Sequence, residues 1–174
     1  MNFSQHFVFL FTVFSLELFV FVFLFAFVLI SCDKNRIYEV NHDFDDRTWK
    51  IAETPEFEFI IKDLGKRYTI YYNVRNSLDY PYARLFVNYS LRDSTGAELS
   101  KKMVSEFLFD QKTGQPFGSS GLGDVYDHRF PLLKEFEFKY QGKYKLTLEQ
   151  FMRTDTLPGI LAVGARVEMA EPSK

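Results

Sequence analysis

Tyr68-Thr69-Ile70-Tyr71-Tyr72-Asn73-Val74-Arg75 decides the fold. Tyr68, Ile70, Tyr72 and Val74 fall on one side of a two-residue period, and Thr69, Tyr71, Asn73 and Arg75 on the other. A strand turns successive side chains to opposite faces, so this spacing buries one row and wets the other. The pattern recurs on both sides of the segment. Upstream, Phe57, Phe59 and Ile61 alternate with Glu58, Ile60 and Lys62. Downstream, Leu85, Val87, Tyr89 and Leu91 are set against Asn88, Ser90 and Arg92. That run stops at Asp93-Ser94-Thr95-Gly96, a turn with glycine where positive φ is cheap.

Farther out, Leu99 to Phe109 is a less regular strand. Phe136, Phe138 and Tyr140 alternate with Glu135, Glu137 and Lys139; then come Gln141-Gly142 and an alternation of Tyr144, Leu146 and Leu148 with Lys145, Thr147 and Glu149. This spacing predicts a hairpin. Leu161, Val163, Ala165 and Val167 alternate with Ala162, Gly164, Arg166 and Glu168 as a closing strand. No long window after Cys32 repeats with helical spacing. The expected class is therefore all-β, a two-sheet antiparallel β-sandwich over 49–174, since a single sheet would leave these aromatic faces wet. A closed barrel is the alternative. Asp33 to Asp46 is polar without a sustained period, and 32–48 reads as a polar tether leading to the fold.

The chain has 174 residues, 47% hydrophobic and 18% aromatic, enough for one domain with a sizeable core. Ten of the 21 Phe lie between Phe3 and Phe27, so the Phe count overstates that core. All 21 basic residues follow Cys32, and of the 23 acidic ones only Glu17 precedes it. The near-neutral overall balance offers no field for nucleic acid or an anionic surface, and no nucleic-acid partner is expected. With one cysteine, neither an intramolecular disulfide nor a Cys-rich metal site can form.

From Phe7 to Ile30 every residue is apolar except Thr12, Ser15 and Glu17. As a helix the run would reach about 36 Å, against a hydrocarbon core of about 30 Å. Glu17 costs about 3 kcal/mol on insertion scales, whereas roughly twenty Phe, Leu, Val and Ile return about −8 kcal/mol. Insertion wins. The run ends in Leu29-Ile30-Ser31-Cys32 and gives way at once to Asp33-Lys34-Asn35-Arg36. This ending resembles a lipobox, in which a cysteine thiol receives a diacylglyceryl group and the preceding peptide is cut. On that reading 1–31 is a lipoprotein signal peptide forming an apolar helix, and Cys32 is the lipidation site that ties the protein to a membrane. The competing reading is an uncleaved anchor with Cys32 unmodified, because Met1 to His6 lack the positive charge that usually opens an export signal.

No grouping of residues marks a catalytic site, a cofactor site or a metal site, and none is expected. His6, His42 and His128 are scattered, and no metal-ligand spacing joins them. Asn41, Asp43, Asp45 and Asp46 lack the central glycine and distal glutamate of a calcium loop, and a solvated acidic stretch is the simpler reading. The loop from Gly114 to Asp124 has no phosphate-binding signature. It is either a flexible connection or a partner-facing loop. Trp49, Tyr71, Tyr72 and Tyr80-Pro81-Tyr82 could form a platform for sugar rings, although core and turn packing is the plainer use of them. A pocket joining His128 to Asp124 or Asp127 would revive an enzymatic reading.

Several of these segments together resemble the GldH gliding-motility lipoprotein family. They are the lipobox with Asp33-Lys34-Asn35-Arg36-Ile37-Tyr38-Glu39; Asn73-Val74-Arg75-Asn76; Asp79-Tyr80-Pro81-Tyr82 with Leu85-Phe86; Gly121-Leu122-Gly123-Asp124; and Gly142-Lys143-Tyr144 through Glu149-Gln150-Phe151-Met152-Arg153 to Leu157-Pro158-Gly159-Ile160 and Val163-Gly164. The resemblance implies a membrane-anchored, non-catalytic accessory of gliding, linked to type IX secretion. Its expected partners are the membrane, through lipid on Cys32, and other gliding or secretion proteins of the cell envelope. No enzyme activity, cofactor or small-molecule substrate is expected. The alternative function is a carbohydrate-binding β-sandwich module on the envelope.

Overall fold

A computed structural model describes residues 33–121 and 123–170; the expected signal helix over 1–31, and Cys32 itself, lie outside the described residues. Eleven strands follow in chain order: β1 Arg36–Asp43, β2 Thr48–Lys50, β3 Glu56–Ile61, β4 Tyr68–Ser77, β5 Arg84–Asp93, β6 Glu98–Phe107, β7 Ser119–Ser120, β8 Val125–Phe136, β9 Gly142–Gln150, β10 Thr156–Pro158 and β11 Ile160–Met169, with a 3-10 turn at Asp45–Arg47. One sheet runs β1-β11-β4-β8-β7 and a second β3-β9-β5-β6, while β2 and β10 form a short ribbon. Every pairing is antiparallel. Both larger sheets are open, so each has two edges.

The period-two readings hold for β3, β4, β5 and β9. Phe57, Phe59 and Ile61 of β3 are buried while their neighbours are exposed, and Tyr68, Ile70, Tyr72 and Val74 of β4, Leu85 to Leu91 of β5 and Tyr144 to Leu148 of β9 point the same way in alternation. Their apolar faces join one hydrophobic cluster drawn from both sheets. Rings make the junction explicit: Tyr38 of β1 lies 5.8 Å from Phe59 of β3, and Phe138 sits 5.4 Å from Tyr68 and 4.4 Å from Tyr144. Trp49 is fully buried, stacks on Phe44 at 5.3 Å and donates its indole N–H to the Glu53 carbonyl at 2.9 Å.

Two expectations fail. The stretch 32–48 is not a tether, because Arg36–Asp43 pairs along β11 from Arg36↔Glu168 to Asp43↔Ala162. β1 is an edge strand with most of its residues exposed and polar residues on both faces, so it carries no clean alternation to read. Nor do the segments flanking Gln141-Gly142 form a hairpin. β8 pairs with β4 from Tyr68↔Phe136 to Ser77↔Val125, whereas β9 pairs with β3 and β5. Glu135, at φ 50°, sits at an irregularity in the pairing; after Phe136 the chain leaves β4 and crosses to the other sheet with Phe138 plugged into the core on the way.

Candidate interaction face on the five-stranded sheet

The outer face of the five-stranded sheet is built from the alternate residues of its strands. Cross-strand register sets Glu39 beside Arg166 and Arg166 beside Tyr71. The next row is Asn41, Gly164, Asn73 and Arg129, and the one after it is Asp43, Ala162, Arg75, Asp127 and Ser119. Directly opposed residues share a face, so these rows gather polar side chains from five strands.

Glu39 is the centre of this arrangement. Its carboxylate accepts hydrogen bonds from Arg166 at 2.6 Å, Arg36 at 2.8 Å, Asn73 at 3.1 Å and Arg129 at 3.2 Å. Arg166, with its side chain only 5% exposed, also pairs with Glu168. A guanidinium this well covered is tolerable because carboxylates meet it from both neighbours in space. Burial alone would raise the Glu39 pKa, but the bonds from Arg36, Arg166 and Asn73 outweigh it and hold the carboxyl below its ordinary value. Arg129 further bonds Asn73 at 3.4 Å, and Arg75 bonds Asp127 at 2.8 Å.

Gly164 makes room for the network. A Cβ there would lie 1.9 Å from Asn41 Oδ1 and 2.7 Å from the Val40 carbonyl oxygen. The side chain of Asn41 therefore rests on bare backbone, where its Oδ1 accepts a bond of 3.4 Å from Asn73. A groove of about 410 Å³ opens over these rows, lined by Glu39, Asn73, Arg75, Asp127 and Arg129 among others; His128 also borders it, though its ring is buried. Its walls are hydrogen-bonding groups held in place by one another.

The residues singled out in the sequence fall elsewhere or take other roles. Asn41 and Asp43 belong to β1, and Asp45 and Asp46 to the turn after it. Asp127 and His128 are neighbours in a strand and face opposite sides: Asp127 pairs with Arg75 outside, while His128 is buried, stacked on Phe130 at 5.5 Å. Burial pushes the His128 pKa down to about 4 against the opposing pull of Asp127, so the ring is neutral at pH 7. A Cβ on Gly118 would lie 2.7 Å from His128 Nε2, so that glycine packs directly on the ring. Trp49, Tyr72 and Tyr80 are buried and offer no ring for a sugar to stack on. The glycine-rich loop is partly ordered by pairing: Phe109 bridges Pro116, and Ser119 and Ser120 pair with Asp127 and Tyr126.

The spacing rules missed Glu39, Arg129 and Arg166 as a group. Each looked like an ordinary solvent-facing residue, and only the sheet order brings them together. The available signal was Gly164 inside an otherwise regular strand, the usual mark of a close backbone approach.

The model of the GldH lipoprotein family matches residues 36–167, from the start of β1 into β11. The "Gliding motility lipoprotein GldH homolog" of Christiangramia forsetii is 31% identical over 148 residues, covering 81% of this chain and 88% of that protein. "Gliding motility lipoprotein GldH" of Flavobacterium johnsoniae is 26% identical over 151 residues, covering 83% of this chain and 91% of that protein. With the match running across both sheets and nearly the full length of its relatives, the chain belongs to the GldH lipoprotein family.

Proposed function

We propose that this protein is a gliding motility lipoprotein whose two facing sheets form a β-sandwich, carried on a membrane by lipid at Cys32 once residues 1–31 are removed. It acts as a non-catalytic accessory of the gliding machinery linked to type IX secretion, within the cell envelope. The observation that carries this reading is the family match over 36–167 together with relatives that bear the gliding lipoprotein name. Further support comes from geometry. Glu39, Asn73 and Arg75, which belong to segments that carry the resemblance, line the polar groove, and Gly164 of another such segment leaves room for the Asn41 side chain on its wall. We assign that face to another envelope protein of the apparatus.

Deleting the gene tests the role: colony spreading stops, and it returns with the native gene but not with Cys32→Ser. A deletion strain that spreads normally contradicts the function, and full rescue by Cys32→Ser contradicts the need for the lipid. A photo-crosslinker at Asn73 is expected to capture an envelope protein that the same group at Ser90, on the four-stranded sheet, does not.

A further inference from the structure

The strand directions place three short connections at one end of the fold: 62–67 between β3 and β4, 94–97 between β5 and β6, and 137–141 between β8 and β9. Two of them are tied, with Gln141 Nε2 donating to the Lys62 carbonyl at 2.6 Å, and the Ala170 N–H after β11 donates to the Arg67 carbonyl at 2.8 Å. The chain enters the fold here as well, since the Met169 N–H donates to the Asn35 carbonyl at 2.8 Å. Only two residues, Asp33 and Lys34, separate Asn35 from Cys32, so three steps along the chain span at most about 11 Å.

Charge is unequally divided along the strand axis. These three connections hold Lys62, Lys66, Arg67 and Lys139 against Asp63 and Glu137. The connections at the opposite end, 44–55, 78–83, 108–124 and 151–159, hold seven acidic side chains against four basic ones. Arg67 is committed to Glu135 and Glu137 at 3.2 and 3.0 Å, whereas Lys62, Lys66 and Lys139 are exposed. Among them stand Tyr140, 67% exposed, and Leu64, 42% exposed; exposed apolar side chains also occur at the opposite end, such as Phe117 and Phe151, so it is the lysines and the chain entry that set this end apart.

We propose that this end of the protein lies on the membrane, its lysines against the phosphates of an anionic phospholipid surface and Tyr140 and Leu64 in the interfacial layer. Tyrosine favours that layer because its ring is apolar and its hydroxyl wet, and lysines near a negative leaflet are attracted to it. The acidic end is thereby turned away from the bilayer. The contact gives the anchor a second point of attachment, which fixes the orientation of the domain instead of leaving it on a swivel. This inference rests on the reading that the chain is held to a membrane on the Cys32 side.

The test uses the full chain purified from membranes and reconstituted into nanodiscs containing brominated lipid, made of phosphatidylcholine alone or of equal parts phosphatidylcholine and phosphatidylglycerol. Tyr140→Trp reports on the basic end and Phe117→Trp, at a residue 59% exposed in the 108–124 connection, on the acidic end. Trp49, fully buried, supplies a constant background. Bromolipid is expected to quench the indole at 140 and leave that at 117 bright, more so in the anionic discs. Adding Lys62→Glu and Lys66→Glu to the first variant abolishes the anionic gain. Equal quenching at both positions, or quenching indifferent to charge reversal, overturns the proposal. The intact mass of the same sample shows whether Cys32 is acylated, so loss of the lipid assignment is read separately from loss of the end-on contact.

Discussion

Four strands commit side chains to one carboxylate at Glu39, and this makes the residue's substitution informative. Glu39→Gln strips Arg166 of one counter-charge while leaving Glu168, so the expected cost is about 2 kcal/mol, less than breaking an isolated buried pair outright. The sign of its pH dependence follows from the direction of the shift. The folded carboxyl has a lowered pKa, so its contribution is complete above the unfolded value of about 4.3 and is lost as pH falls through the lower folded value. Denaturant midpoints of the wild type and Glu39→Gln should therefore stay apart at neutral pH and converge in acid. Gly164→Ala belongs to the same site: its Cβ must displace Asn41 or the Val40 carbonyl, for an expected loss of about 1–3 kcal/mol in the same assay. A Gly164→Ala midpoint equal to wild type would show that β1 yields freely. The identity of Asn41 as the neighbour of Gly164 was not legible in either local sequence, because the two residues come from opposite ends of the chain.

Strands with a clean buried row announced themselves, even at a sheet edge as in β3, and strands without one did not. β3, β4, β5 and β9 each put an unbroken apolar row into the core, so the period survives in the sequence. β1 sits at an edge with most of its residues exposed, and β8 has Pro131 on the exposed face and an irregularity at Glu135, so both blur into polar chain. The apparent hairpin at Gln141-Gly142 joined a true strand to a crossover whose aromatic residue plugs the core. At the edge of the four-stranded sheet, β6 leaves one side unpaired across its length from Glu98 to Phe107. Lys102 lies opposite Tyr89, whose ring is buried, so the lysine shares the inner face of the sheet at its rim. An inward-pointing charge discourages another strand from adding there. Lys102→Val is expected to favour edge-to-edge association, seen as dimers or larger species by light scattering. A strictly monomeric variant would show that β6 is protected in some other way.

At the scale of the molecule, two open sheets share one core, one outer face bears a network of mutually neutralised charges, and the strand axis runs from a basic end to an acidic one. The lysines and exposed aromatic at the basic end were visible as residues in the sequence; that they lie together, next to where the chain enters the fold, required the strand order. Attachment at Cys32 is what would convert this polarity into orientation at a membrane. Intact-mass and N-terminal peptide analysis of the mature protein from its native envelope tests that attachment directly. The expected product starts at Cys32 with a diacylglyceryl group on sulfur, and a product with a bare thiol, or with residues 1–31 still joined to it, would contradict it.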